Sequence, residues 1–232
     1  HFHTLNILGA TPLDFGPQQN VDAMKQRLKE YGWEVLSTWA MGDSLENLSR
    51  AGEAEVNLVV SSVGLPTAKV LEEKIGTPYI IGTPVDGFIE ELIQALNEKI
   101  QNQNRQLPEE QADTKQKALY LQKRLQAPAE ITIIGEAVTM GSLAASIEKK
   151  YHRAVRVICP LETHEGLLGE NDCAARGEEE MEELLKDAGI ILADPLYRPI
   201  CPRNARFYEL PHIAFSGRIF LKDIEKYKKI YC

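Results

Sequence analysis

Residues 53–88, EAEVNLVVSSVGLPTAKVLEEKIGTPYIIGTPVDGF, carry a strand, a loop, a helix and a second strand in order. Val56, Leu58, Val59 and Val60 form a short apolar run rich in β-branched residues, the pattern of a strand covered on both faces. The run stops at Ser61-Ser62-Val63-Gly64. A helix with apolar positions Ala68, Leu71 and Ile75 follows and closes at Gly76, with Pro78 beyond it. Residues 79–81 supply the next strand. In an open parallel sheet ligands sit beyond the carboxyl ends of the strands, so residues 61–64 and 82–87 are the expected places for a site.

Outward from this stretch the same alternation continues. Residues 4–8 read as a strand, 11–17 as a loop, and Val21, Met24, Leu28 and Tyr31 as one face of a helix ended by Gly32. Residues 33–39 form a second strand, and Ser44 is the N-cap of a short helix. An amphipathic helix with Ile89, Leu92, Ile93 and Leu96 comes after residues 53–88. Polar residues between 101 and 117 mark a linker, and residues 115–126 read as a helix stopped by Pro128. A second sheet then opens at residues 131–134. A helix follows from about Met140 to Tyr151, with Leu143, Ala144 and Ile147 facing inward. Further strands fall at 155–158 and 190–193, with a short one at 207–210, while residues 161–177 read as a loop and 178–187 as an acidic helix. The expected fold is α/β, two Rossmann-like lobes, each a parallel sheet with flanking helices, around a cleft. The first lobe spans residues 1–106, a linker or bridging helix 107–128, and the second lobe with a C-terminal helix 129–232.

Composition narrows the function. With 44% hydrophobic and 26% charged residues the chain is ordinary for a globular protein. Its net charge of -8 argues against a nucleic-acid partner. Lys222, Lys226, Lys228 and Lys229 are the one dense basic run, at helical spacing, and read as a solvated helix face. No apolar run is long enough to span a membrane and no signal stretch opens the chain, so a cytoplasmic location is expected. Cys159, Cys173, Cys201 and Cys232 lie far apart, which shows neither a disulfide framework nor a zinc module.

The quoted stretch, together with GEAVTMGSLAASIEKKY, ADPLYRP and ELPHIAFSGRIF, resembles the nitrogenase component 1 family, which includes the molybdenum-iron protein chains, their cofactor-assembly scaffolds and the dark-operative protochlorophyllide reductase. The likeness covers nearly the whole chain and falls on that family's last two domains. It implies a piece of a longer oxidoreductase, inactive alone, whose missing N-terminal domain supplies the ligands of an iron-sulfur or metal cluster. The implied partners are a homologous component 1 subunit, in a homo- or hetero-oligomer, and an ATP-dependent reductase like the nitrogenase iron protein. No nucleic acid and no membrane enter this picture. The substrate or cofactor would be held between the domains, lined by Ser61, Ser62 and Gly64 from one lobe and by Asp194, Tyr197, Arg198 and His212 from the other. A scaffold or binding module for a tetrapyrrole or metal-cluster precursor, without redox turnover, is the alternative. A third reading is a small-ligand-binding protein with two Rossmann-like lobes.

Within the resemblance, the cysteine that holds the catalytic cofactor in molybdenum nitrogenase falls on Ser61, and its histidine falls near His212, one residue out of register. A serine hydroxyl is a poor iron ligand, so that cofactor is not expected to bind in the family's way. No metal site is therefore assigned. Cys159, Cys201 and His164 sit in loops on the carboxyl side of the second sheet, either as metal ligands or as structural residues. Asp194, Tyr197 and Arg198 could fix an anionic substrate or brace a turn between prolines. Glu136 and Glu162 stand on the same rim. GEAVTMG lacks the second glycine of a dinucleotide fingerprint, and no P-loop occurs.

Overall fold

The structure is a computed structural model that describes residues 2–104 and 118–217. The expected C-terminal helix beyond Gly217, with its lysine run and Cys232, and the linker residues 105–117 lie outside the described residues.

Apolar runs bounded by glycine and proline give the first lobe its strands: β1 (His3–Leu8), β2 (Trp33–Thr38), β3 (Val56–Val59) and β4 (Tyr79–Ile81). They form one parallel sheet in the order β2-β1-β3-β4. The helices are α1 (Pro12–Phe15), α2 (Gln18–Glu30), α3 (Leu45–Ser49), α4 (Leu65–Ile75) and α5 (Ile89–Asn104). Residues 11–17, expected as a loop, contain α1. Thr11 accepts the Asp14 N–H on its side chain and Pro12 opens the helix, an N-terminal signal in a four-residue segment.

The second lobe has β5 (Ile131–Ile134), α6 (Ala137–Tyr151), β6 (Val155–Cys159), β7 (Cys173–Ala174), α7 (Glu178–Leu185), β8 (Ile190–Ala193) and β9 (Arg206–Glu209). Its parallel order is β7-β6-β5-β8-β9, the 3-2-1-4-5 order of a doubly wound sheet. The stretch 161–177 read as a loop therefore holds an edge strand. Two residues of pairing, Ile158 with Cys173 and Cys159 with Ala174, are too short to leave a periodic trace.

Residues 118–126 are not the expected α-helix. A 3₁₀ turn (Leu119–Lys123) occurs instead, because consecutive side chains are drawn inward and break the helical period. Tyr120 is fully buried against α6 at Gly141, where any Cβ would overlap its ring, and its hydroxyl donates to the Leu167 carbonyl at 2.7 Å. Arg124 enters a buried ion triad, 3.1 Å from Glu148 and 3.1 Å from Asp172. Both carboxylates also accept backbone N–H groups, Glu148 from Leu125 and Val155, and Asp172 from Val157 and Gly169. These bonds tie the crossing segment to the ends of α6 and β6.

Helix α6 belongs to both lobes. Ala144, with Leu143 and Ile147, packs on its own sheet, while Ala137, Val138 and Ala145 join the core of the first lobe. The core is therefore continuous across the lobe boundary.

Replacing Arg124 by Ala leaves two buried carboxylates without their cation, and the expected loss is about 3–5 kcal/mol of unfolding free energy. Urea denaturation of the two proteins measures it. A loss under about 1 kcal/mol would show that the triad is solvated rather than buried.

Candidate functional site

The two sheets meet with their carboxyl ends facing across α6. A polar stripe on that helix, Thr139, Ser142, Ser146 and Lys149, recurs at three- and four-residue spacing and so lies on one face. Every member reaches the first lobe. Ser142 Oγ accepts the Thr83 N–H at 2.9 Å, Ser146 donates to the Asp86 carbonyl at 2.6 Å, Thr139 donates to the Val60 carbonyl at 3.4 Å, and Lys149 pairs with Glu91 at 2.8 Å. Small hydroxyl side chains let the helix approach the strand ends closely while pairing the backbone groups exposed there.

At the start of this helix Glu136 is the N-cap. Its carboxylate accepts the Thr139 N–H at 2.8 Å on one oxygen and the Ser62 N–H at 2.9 Å on the other, so one buried side chain joins the lobes. Burial pushes its pKa up, against the N–H groups of Thr139, Ser62 and Val138, which favour the charge. This cap also explains why α6 begins three residues before the expected Met140.

Ser62 lies in this seam, Ser61 and Gly64 pack beside it against the end of β1, and none of the three lines the open part of the cleft. Ser61 is fully buried and donates to the Gly9 carbonyl at 2.5 Å. Ser62 Oγ donates to the Glu162 carbonyl at 3.2 Å. A Cβ on Gly64 would stand 2.6 Å from the Leu8 carbonyl, so only glycine lets these two strand ends touch.

The cleft itself opens between β5 and β8, the switch point of the second sheet, opposite α1 and the start of α2. Its free volume is about 60 Å³. Asp194 and His212, both expected at the site, come together here. Asp194 is buried and saturated: Oδ1 accepts the Leu196 N–H at 2.9 Å, and Oδ2 accepts the His212 N–H at 2.7 Å and the Ser216 hydroxyl at 2.5 Å. It thereby pins residues 212–216 across the cleft. His212 Nδ1 accepts the Ala214 N–H at 3.2 Å, which leaves the ring proton on Nε2, 3.2 Å from Asp14 Oδ1. Asp14 also accepts the Thr11 hydroxyl at 2.7 Å. Burial raises the Asp14 pKa, but the bonds from His212 and Thr11 and the charge of His212 outweigh it, so the net shift is downward.

Asp14 and Asn20 are cleft residues that the sequence reading missed. Asn20 is 7% exposed and donates to the Gly16 carbonyl at 3.1 Å, while its Oδ1 has no hydrogen-bond partner among the described residues. Asp14 stands in α1, directly after the first strand, a position that could have drawn attention to it. Tyr197 and Arg198 lie elsewhere. Tyr197 turns toward Phe215, ring centroids 5.8 Å apart, and Arg198 is exposed over the Phe207 ring and pairs with Glu209 at 3.4 Å.

The metal-ligand positions do not fit a cluster. The Ser61 hydroxyl is committed to Gly9, and both nitrogens of His212 are engaged. Cys159 is buried, its thiol pushed up to about 11 by burial and directed to the Leu161 carbonyl, and Cys201 donates to the Tyr197 carbonyl at 3.1 Å. His164 is exposed. Among the described residues no group of three or more His, Cys, Asp or Glu side chains could hold a metal ion.

A family model described as nitrogenase component 1 type oxidoreductase matches residues 3–192. The chain belongs to this family. One subunit of light-independent protochlorophyllide reductase, from a Synechococcus strain, is 35% identical over 100 residues, 40% of this chain and 20% of that protein. The same subunit from Chlorokybus atmophyticus is 40% identical over 81 residues, 34% of this chain and 16% of that protein. The matched segments thus span a fifth or less of these relatives. The fold is shared with a solved structure of nitrogenase Cp1 at pH 5, with a TM-score of 0.54 and 16% identity over 91% of this chain and 52% of that one. The component 1 fold is therefore present, with two parallel α/β lobes. No helix among the described residues is long and apolar enough to cross a membrane.

The two cleft carboxylates that shift give opposite pH signatures. Asp14, held below its ordinary 3.8, stabilises the fold above that pH and loses this contribution as pH falls through its depressed folded value. Glu136, held above its ordinary 4.5, favours the fold most below that pH and loses this advantage as pH rises through its raised value. Urea midpoints across a pH series should show the gap between the native protein and Asp14→Asn closing in acid. The stability of Glu136→Gln relative to the native protein should improve as pH rises above 4.5. Parallel curves for either variant would refute the assignment for that residue.

Proposed function

We propose that this chain forms the substrate-side wall of a nitrogenase component 1-like oxidoreductase. An ATP-dependent iron-sulfur reductase supplies low-potential electrons, and a substrate or cofactor held between the lobes receives them. A homologous component 1 subunit completes the assembly, and the cluster that carries the electrons is ligated outside the residues described here. The observation that carries this reading is the Asp14–His212 pair across the cleft, in a chain whose family match covers residues 3–192. Reduction of an organic substrate consumes protons with electrons. His212 bears a proton at Nε2, shared with a carboxylate, on the wall of the cleft.

The cleft in this form is too narrow for more than a small group. Substrate entry then requires the 212–216 strap to lift, and the strap is held by Asp194 on its own lobe and by Asp14 on the other. Asp194 positions the strap. His212 and Asp14 form the part of the closure that can break while each lobe stays folded.

The scaffold reading, in which the lobes hold a tetrapyrrole or cluster precursor without redox turnover, draws on the sealed Ser61 at the position of a ligating cysteine. The two readings part on electron flow. In the assembled complex, ATP and the reductase should drive substrate reduction, and His212→Gln should lower kcat by about 10²-fold or more while leaving complex assembly intact. Assembly without ATP-dependent electron uptake would support the scaffold instead. The isolated chain, after anaerobic reconstitution with iron and sulfide, is expected to retain no stoichiometric iron. Stable iron lost on Cys159→Ser or Cys201→Ser would overturn the substrate-wall reading.

A further inference from the structure

A free space of about 360 Å³, larger than the cleft, is separate from it and shares with it only Phe215 as a wall among the described residues. It lies at the carboxyl ends of β6, β7 and β8. Pro160 follows β6, Met181 projects from α7, and Leu196, Tyr197 and Ile200 come from the 3₁₀ turn (Pro195–Ile200) after β8. Tyr197 and Phe215 meet edge to face at 76°. A space of this size stands at the lower end of small-molecule pockets, about 300–1,000 Å³, and suits one or two fused rings rather than a macrocycle. Pro160, Met181 and the two aromatic rings offer flat or polarizable surfaces for a planar occupant.

The polar groups are few and lie at the rim. Arg176 donates its backbone N–H to Glu180 at 2.8 Å, while its guanidinium has no ion pair among the described residues. Glu178 likewise has no ionic partner there. The Tyr197 hydroxyl has no hydrogen-bond partner among the described residues, and burial pushes its phenol up to about 12, so it remains a donor at neutral pH. Arg176 and Glu178 are one cation and one anion on the wall, with Glu179 and Glu180 in the same helical turn as Glu178. The rim offers donors from Arg176 and Tyr197 beside an acceptor from Glu178.

Phosphate is disfavoured at this edge. The first turn of α7 carries Glu178, Glu179 and Glu180, whose negative charge repels an anion there. The sheet has the strand order of a doubly wound fold, and at its switch point, in the separate cleft, the helix start is capped by Glu136.

We propose that this cavity binds an uncharged purine-type base or nucleoside bearing an exocyclic amino group. Glu178 accepts from the amino group, Arg176 and Tyr197 donate to ring nitrogen or carbonyl, and the ring lies against Tyr197, Phe215 and Met181. The site stands apart from the redox role proposed above and does not depend on it.

Calorimetric titration of the 232-residue chain with guanosine, inosine and guanosine monophosphate tests it. Guanosine is expected to bind saturably with a Kd below about 1 mM, and about tenfold more tightly than inosine, which lacks the amino group. The monophosphate should bind more weakly than guanosine. Glu178→Ala, at an exposed position, removes the acceptor and should leave thermal unfolding and inosine binding unchanged while bringing guanosine to the inosine level. Absence of saturable guanosine binding, equal affinity for guanosine and inosine, tighter binding of the monophosphate, or an unchanged preference in Glu178→Ala would each overturn the proposal.

Discussion

The carboxylate of Glu136 is the constraint on which the rest of the interdomain structure depends. A buried carboxylate is costly unless its charge is met, and here two backbone N–H groups from different lobes meet it. One of them, on Thr139, belongs to the first turn of α6, and the other, on Ser62, belongs to the turn after β3. Neither lobe alone can satisfy this side chain. Closing the lobes therefore completes a bond set that α6 needs at its own N-terminus. Ser62 enters the seam through that closure, while the neighbouring Gly64 packs against Leu8 inside the first lobe at a distance that excludes even a methyl group.

Most of the fold was readable because strand and helix periods depend on local alternation of apolar residues. Residues 53–88 showed their strands and their helix, and the α/β class with two parallel sheets follows from that alternation repeated. What escaped reading obeys long-range pairing instead. β7 is two residues long and owes its existence to β6. The 3₁₀ turn at Leu119–Lys123 lies in a stretch whose Ala118, Leu121 and Leu125 suit a helix, but Tyr120 and the following Arg124 are claimed by Gly141, Leu167, Glu148 and Asp172, all distant in sequence. Buried Asn6 and Asn57 are a further case. Asn6 donates to the Asn57 side chain at 2.8 Å and accepts from Ser37 at 2.7 Å, a polar ladder across three strands that a hydrophobic pattern cannot announce.

The candidate site was legible in part, for the same reason. Asp194 follows a strand of the second sheet directly, and strand ends are where sites collect, so its place could be inferred from topology. His212 entered through resemblance to a family and not through local pattern. Asp14 was hidden because it is one acidic residue in a Pro- and Gly-rich stretch, and its meaning depends on an imidazole 198 positions away in sequence, as numbered. Tyr197 and Arg198 share a 3₁₀ turn with successive side chains about a third of a turn apart. Adjacent residues there cannot face the same space, and the two leave in different directions, one toward Phe215 and the other toward Phe207.

Saturation of the cleft carboxylates shapes what the cleft can do. Both oxygens of Glu136, Asp194 and Asp14 already accept hydrogen bonds. Their charge is spent on holding α6, the strap and the Asp14–His212 pair, and little of it is free to attract a cation. Asn20 Oδ1 is the acceptor in the cleft wall without a donor among the described residues. A closed form with one unmet acceptor is less favourable than one in which that acceptor is met, since an unpaired buried polar atom costs about 1–3 kcal/mol. The same atom is hydrated when the strap lifts. The penalty at Asn20 thus offsets part of what the Asp14–His212 bond contributes, and the two terms are of similar size. Residues 212–216 are anchored to their own lobe by two bonds to Asp194, from the His212 N–H and the Ser216 hydroxyl, and to the other lobe by the Asp14–His212 contact, so the hold on the second lobe does not depend on the first.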